Sequence, residues 1–274
     1  MTDRQVPKKY CRVLTIAGSD SGGGAGIQAD LKTFSANGCY GMSVITALTA
    51  QNTVGVTSIH LVPVDFVRAQ IEAVLSDIGA DAVKIGMLFS PELIKCVADE
   101  LDRFQVEKIV LDPVMVATSG DKLLQDDAVQ ALQDHLIPLA SIITPNLPEA
   151  EVLAGHEITS PDGVAQAAAE LTGLGCPDIL IKGGHLEVGD SDDLLYLGRE
   201  KRKVFLSAAR INTTNTHGTG CTLSSAIAAN MARGKEVEEA VLLAKEYITK
   251  AIAAGADYEL GKGHGPVHHF HWFF

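Results

Sequence analysis

The stretch Asn215-Thr216-His217-Gly218-Thr219-Gly220-Cys221 precedes an apolar helical stripe that opens near Thr222. Backbone N–H groups of Gly218 to Cys221 then converge at a helix N-terminus, where unpaired donors and the helix dipole favour an anion. The two glycines let a phosphoryl group rest against the amides, and Cys221 is aimed at the same place. A free thiol titrates near 8.5 and a helix N-terminus lowers it, so a thiolate able to take a proton is expected. The alternatives are a plain structural turn and a small buried hydrophobe at a helix start.

A second glycine loop, Gly18-Ser19-Asp20-Ser21-Gly22-Gly23-Gly24-Ala25-Gly26, follows the first apolar run and opens the first helix. Open α/β sheets bind ligands there, at the carboxyl ends of their strands. No Gly-Lys-Ser/Thr ends the loop and the dinucleotide pattern is incomplete, so a tight turn stands equally well. Asn146-Leu147-Pro148-Glu149 lies where an amide and a carboxylate can hold hydrated Mg²⁺. The same four residues also read as a helix cap with Pro148 in the first turn. Asp112 ends one apolar run as a turn residue or metal-shell group, and Lys182-Gly183-Gly184-His185 ends another, offering a cation to nucleotide phosphates.

The elements that must carry these residues alternate between short apolar runs and segments of helical period. Candidate strands are Val13 to Ala17, Ser43 to Leu48, Ala82 to Ile85, Lys108 to Leu111, Ser141 to Ile143 and Ile179 to Ile181. Stripes such as Ile27, Leu31 and Phe34, or Val237, Val241, Ala244, Ile248 and Ile252, mark helices between and after them. Leu194 to Leu197 and Lys203 to Leu206 flank Gly198-Arg199-Glu200 and predict an antiparallel hairpin. The pattern is that of an α/β chain, a mostly parallel sheet covered by helices on both faces.

We read 274 residues as a single domain, with a core of about 11–262 and a tail 263–274. The tail holds four histidines, but its glycines, Pro266 and aromatics suit a docking segment better than a metal cage. A net charge of −12 with 22 scattered Lys and Arg residues argues against nucleic acid. Five cysteines without a C-x-x-C pair fit neither a disulfide framework nor structural zinc. The polar Met1 to Tyr10 stretch and the absence of a long apolar run predict a cytoplasmic protein with no membrane partner.

Taken together, these motifs resemble the hydroxymethylpyrimidine and phosphomethylpyrimidine kinases of thiamine biosynthesis, within the ribokinase-like fold. The resemblance runs through Thr15 to Asp20, Gly23 to Phe34, Val44 to Thr53, Lys84 to Leu88, Thr144 to Ala150, Lys182 to His185 and Asn215 to Cys221. It implies that Gln51 reads a pyrimidine ring, with Gly18, Asp30, Met87 and Val114 around it. It further implies that Lys182, Asp112 and Thr219 serve ATP, that Glu149 and Asp112 serve Mg²⁺, and that Gly218, Gly220 and Cys221 form the catalytic anion hole. A homodimer is implied in the same way. Most ribokinase-like sugar kinases carry an Asp base where Cys221 stands, a departure shared with this family and some pyridoxal kinases. Pro113 replaces the Thr of some members, a neutral turn change. A pyridoxal kinase of the same fold is the neighbouring reading, and a non-catalytic ligand sensor a more distant one.

Overall fold

The computed structural model describes residues 8–115, 126–183 and 192–274; Gly184 and His185 of the lysine motif lie outside them. Nine strands form one sheet in the order β3-β2-β1-β4-β5-β6-β7-β8-β9. Pairing is parallel from β2 (Tyr40–Asn52) through β1 (Arg12–Ser19), β4 (Ala82–Ile85), β5 (Ile109–Leu111) and β6 (Ile142–Ile143) to β7 (Asp178–Ile181). Antiparallel pairs close both edges: β3 (Gly55–Leu61) on β2, and the expected hairpin β8 (Asp193–Leu197) with β9 (Arg202–Leu206) on β7.

The central strands read as unbroken apolar runs because helices cover both faces. Leu14, Ile16, Ile109, Leu111, Ile143, Ile179 and Ile181 pack against α2 (Val64–Asp77), α3 (Pro91–Arg103), α4 (Asp126–Ala131), α5 (Leu147–Ala154) and α6 (Pro161–Leu171). Val13, Val110, Ile142 and Leu180, one residue out of phase, meet α1 (Gly26–Ala36), α7 (Thr219–Ala232) and α8 (Val237–Gly255). Burial of the apolar strand and helix faces is the main driving term, at about 25 cal/mol for each Å² removed from water.

Two strand expectations change. β2 runs on to Asn52, well past Leu48, because β3 pairs with it from Ala47↔Leu61 to Asn52↔Gly55. β3 was not expected at all. Every one of its residues is exposed, so no buried face sets a period of two for the sequence to display. Among the described residues, no helix is long and apolar enough to cross a membrane.

After α8 the chain turns back across the sheet's carboxyl edge. The His264 N–H donates to the Thr53 carbonyl at 2.9 Å, and the His217 N–H to that of Gly265 at 3.0 Å. Farther on, the Tyr247 hydroxyl donates to the His269 carbonyl at 2.6 Å, and His269 Nε2 lies 3.1 Å from Thr222 Oγ1. Burial pushes the His269 imidazole down to about 4, helped by Lys32 and His268. An unfolded imidazole titrates near 6.5. The folded state therefore binds fewer protons between these values, and stability is kept above 6.5 and falls as pH drops toward 4. His269→Gln, which keeps a hydrogen-bonding side chain but cannot titrate, should flatten that acid limb in melting temperature against pH; an unchanged limb would place the titration elsewhere.

Candidate active site

The carboxyl ends of β1, β4, β5, β6 and β7 and the N-terminus of α7 meet at one edge of the sheet. Gly218 caps α7 with φ +79°, a left-handed conformation that glycine adopts without strain, and any Cβ there would overlap the Gly24 carbonyl oxygen. The two glycine loops thus interlock. Thr219, Gly220 and Cys221 form the first turn, three residues earlier than the expected start at Thr222. Helical N–H groups of a first turn lack partners within the helix, which makes this end an anion acceptor. Thr219 is turned away from that role: its N–H and its hydroxyl both donate to the Thr216 carbonyl, at 3.2 and 2.7 Å.

Asp112 and Lys182 stand beside this turn. The Lys182 Nζ is 2.9 Å from Asp112 Oδ1, and a Cβ on Gly220 would lie 3.5 Å from that Nζ and 3.8 Å from Asp112 Oδ2. Both charged groups thus lie within ordinary contact distance of the helix start. Asp112 also accepts from the hydroxyls of Thr144 at 3.2 Å and Ser224 at 3.1 Å. Burial opposes its ionisation, yet Lys182, Lys84 and Ser224 outweigh burial and hold the carboxyl below the usual range. Lys182 is likewise raised, the desolvation overcome by Asp112 and Glu149.

Glu149 is 3 % exposed and closes a capping box on α5. Its N–H donates to Asn146 Oδ1 at 2.9 Å, while the Asn146 N–H donates to Glu149 Oε2 at 2.8 Å. The Met115 N–H reaches Oε1 at 3.4 Å. Burial nevertheless pushes this carboxyl up to about 7, against the pull of Lys182 and with the push of Asp112. The carboxylate that caps α5 is therefore also an electrostatic neighbour of Lys182 and Asp112. Glu149, Asp112 and the Asn146 amide are hard oxygen donors around a site short of positive charge, a set that suits Mg²⁺, which commonly takes one or two carboxylates and completes its shell with water and phosphate. Among the described residues no group of three or more His, Cys, Asp and Glu could hold a metal ion unaided.

Gly18, Met87 and Gln51 lie around the first glycine loop, while the half-buried Val114 stays beside Asp112, its N–H donating to the Asp112 carbonyl at 2.8 Å. A Cβ on Gly18 would sit 3.2 Å from Met87 Cε, so the missing side chain leaves room against that thioether. The Gln51 amide is between Thr49 Oγ1, 3.2 Å from its oxygen, and His217 Nε2, 3.4 Å from its nitrogen. His217 Nε2 is 2.9 Å from Asp20 Oδ2, and Asp20 also accepts the N–H groups of Gly22, Gly24 and Ala25. Burial raises Asp20, but His217 and these amides more than reverse it and keep the carboxylate charged. Asp20 and His217 lie in the two glycine loops and carry no expected role; the signal in the sequence is a carboxylate followed by glycines whose N–H groups need an acceptor.

Two expectations need correction. Asp30 does not reach the cavity: it is 0 % exposed, its Oδ1 and Oδ2 lie 3.1 and 3.0 Å from Lys84 Nζ, and Ser225 and Thr15 donate to them at 2.6 Å each. Each carboxylate oxygen thus has both the lysine and one hydroxyl as partners. The Cys221 thiol is half-buried and raised above its ordinary value, because desolvation exceeds the help of Lys84 and the Gly26 N–H. A resting thiolate is thus disfavoured, and the helix terminus alone does not decide the charge.

A mostly parallel sheet with antiparallel edges, carrying a lysine and two carboxylates beside a glycine-led helix start at its carboxyl edge, is the arrangement of a ribokinase-like small-molecule kinase. The family model described as phosphomethylpyrimidine kinase matches residues 20–268. The chain belongs to that family. It is 54 % identical over 94 % of its length to the hydroxymethylpyrimidine/phosphomethylpyrimidine kinase of Rhizobium meliloti, covering 96 % of that protein. Among solved structures, phosphomethylpyrimidine kinase from Clostridium difficile is 48 % identical with a TM-score of 0.79, over 88 % of this chain and 99 % of that one. The ADP complex of Bacillus subtilis pyridoxal kinase is 40 % identical with a TM-score of 0.88, over 95 % and 98 %.

Gly218→Ala tests the interlocked loops. A side chain at φ +79° against the Gly24 carbonyl must displace the α7 start, and loss of aligned donors lowers turnover by about a hundredfold. Steady-state turnover within twofold of the parent would mean that the two loops need not interlock.

Proposed function

We propose that this chain is an ATP-dependent kinase that phosphorylates the hydroxymethyl group of 4-amino-5-hydroxymethyl-2-methylpyrimidine and then the resulting monophosphate. The observation that carries it is the approach of Lys182 and Asp112 to Gly220, which puts a cation and a carboxylate beside the glycine-led start of α7. The nucleotide phosphates lie along Lys182, and the transferred group is met by the amides of Gly218, Gly220 and Cys221. Thr219 shapes the turn and leaves nucleotide contact to its neighbours. Mg²⁺, held through Glu149 and Asp112, neutralises charge on the phosphates when bound. Gln51, Gly18, Met87 and Val114 hold the ring, the Gln51 amide offering a donor and an acceptor to a ring nitrogen and its exocyclic amine.

A second reading is favoured by the similarity to a pyridoxal kinase over nearly the whole fold. Pyridoxal also presents a hydroxymethyl group on a six-membered ring. A coupled ADP-release assay with both alcohols side by side decides between them, and no turnover of hydroxymethylpyrimidine would sink the leading reading. The chain works as a homodimer in the cytoplasm on this proposal, with Val56, Ile59 and Leu61 on the exposed β3 ribbon as the apolar surface to be covered. Sedimentation showing only monomer at micromolar concentration would reject the dimer.

Gln51→Leu should reduce kcat/KM for hydroxymethylpyrimidine more than for pyridoxal, since only the former loses a paired donor and acceptor; equal losses would deny Gln51 a selective role. Cys221 stands where the acceptor hydroxyl loses its proton, and can take that proton only as the thiolate that burial disfavours at rest. Because the monophosphate is already anionic and needs no base, Cys221→Ser should harm the first transfer far more than the second. Parallel losses in separate assays of the two acceptors would mean that Cys221 shapes the anion hole and takes no proton.

A further inference from the structure

The corrected place of Asp30 has a counterpart on α7. Ser225 lies one turn after Cys221, so the two share a helix face. A serine inside a helix ordinarily turns its hydroxyl back to a carbonyl three or four residues earlier, and Ser224, with one proton to give, has the Gly220 carbonyl at 2.9 Å as its alternative to Asp112. Ser225 instead donates to Asp30 Oδ1 at 2.6 Å. Asp30 on α1 is fixed in turn by Lys84 on β4 and Thr15 on β1, all without solvent exposure. Breaking such a pair leaves a buried charge uncompensated, so its geometry is stiff.

The neighbouring Ser224 hydroxyl is also 3.1 Å from Asp112 Oδ2. Successive residues on a helix point about 100° apart. Contacts from 224 and 225 to two different buried carboxylates therefore resist rotation of α7 about its own axis in both senses. The first turn of that helix is the one that presents the Gly218, Gly220 and Cys221 amides. We propose that Ser225, acting through the buried Asp30–Lys84 pair, is a positioning residue that fixes the rotation of α7 and aims its first-turn amides at the transferred phosphoryl group. This rests on the kinase reading above for the identity of the anion. It assigns Asp30 to the helix and not to the substrate ring.

Ser225→Ala and Thr15→Val form the test, since each removes one hydroxyl from the same carboxylate, but only Ser225 belongs to α7. Ser225→Ala should lower kcat about tenfold on both transfers, as misalignment of reacting groups does, with KM for the pyrimidine and for ATP within twofold of the parent. Thr15→Val should keep kcat within twofold while losing a similar amount of thermal stability. Equal falls in kcat for the two variants would reduce Ser225 to general support of the ion pair and overturn the proposal. A raised KM for the pyrimidine with unchanged kcat in Ser225→Ala would overturn it as well, by returning Asp30 to the ring. Should Ser225→Ala fail to fold, Ser225→Cys, similar in size and a weaker donor, should show the same kcat-only loss in smaller measure. The ratio is read on pyridoxal too, so that failure on the pyrimidine alone sinks the substrate assignment and leaves the positioning role to be judged on the second alcohol.

Discussion

The first turn of α7 has to be held with the Gly218, Gly220 and Cys221 N–H groups open at the carboxyl edge of the sheet, and much of the polar interior serves that requirement. A helix start left without partners inside a protein is costly unless something supplies acceptors. Here the surroundings supply order while leaving the amides available. Gly24 and Gly218 interlock, Asp112 and Lys182 crowd against Gly220, and the tail backs His217. The Asp30–Lys84 and Asp112–Lys182 pairs are weak evidence for stability, since replacing buried ion pairs by apolar groups is often neutral. Their value lies in geometry, because a short charge pair with further hydrogen bonds tolerates few arrangements.

The site also divides its charge unevenly. On the Lys182 side two buried carboxylates face essentially one lysine, and the surplus shows in Glu149, which burial raises to about 7. On the His217 side a single carboxylate, Asp20, is saturated with donors and is held charged. The first arrangement is suited to a visiting cation, and the second to a loop that must not move. One edge of a sheet thus carries both a receptive half and a locked half.

Much of this was legible in the chain. Strands β1 and β4 to β7 announce themselves because burial on both faces leaves continuous apolar runs, and the residues that end them, Asp112 and Lys182, fall where such sheets place chemistry. What was not legible depends on partners far along the chain. Asp30 sits in a motif beside a glycine loop, and only Lys84, Thr15 and Ser225, remote in sequence, show that its carboxylate is fully engaged. The Cys221 thiol follows the same rule: its helix position is local and readable, while the desolvation that raises it comes from packing. β3 was hidden for the opposite reason, having no packed face to leave a pattern.

The tail has one consequence for how the protein comes into being. Pro266 lies beside Gly24, and the carbonyl of Gly265 receives the His217 N–H, so a wall of the cavity is contributed by chain made long after the loop it covers. Domains fold as they leave the ribosome, N-terminal parts first. A nascent chain halted after α8 would own Asp20, Asp112, Glu149 and Lys182 and still lack the segment that backs Gly24 and His217, so the two glycine loops are completed only after every element between them has been made.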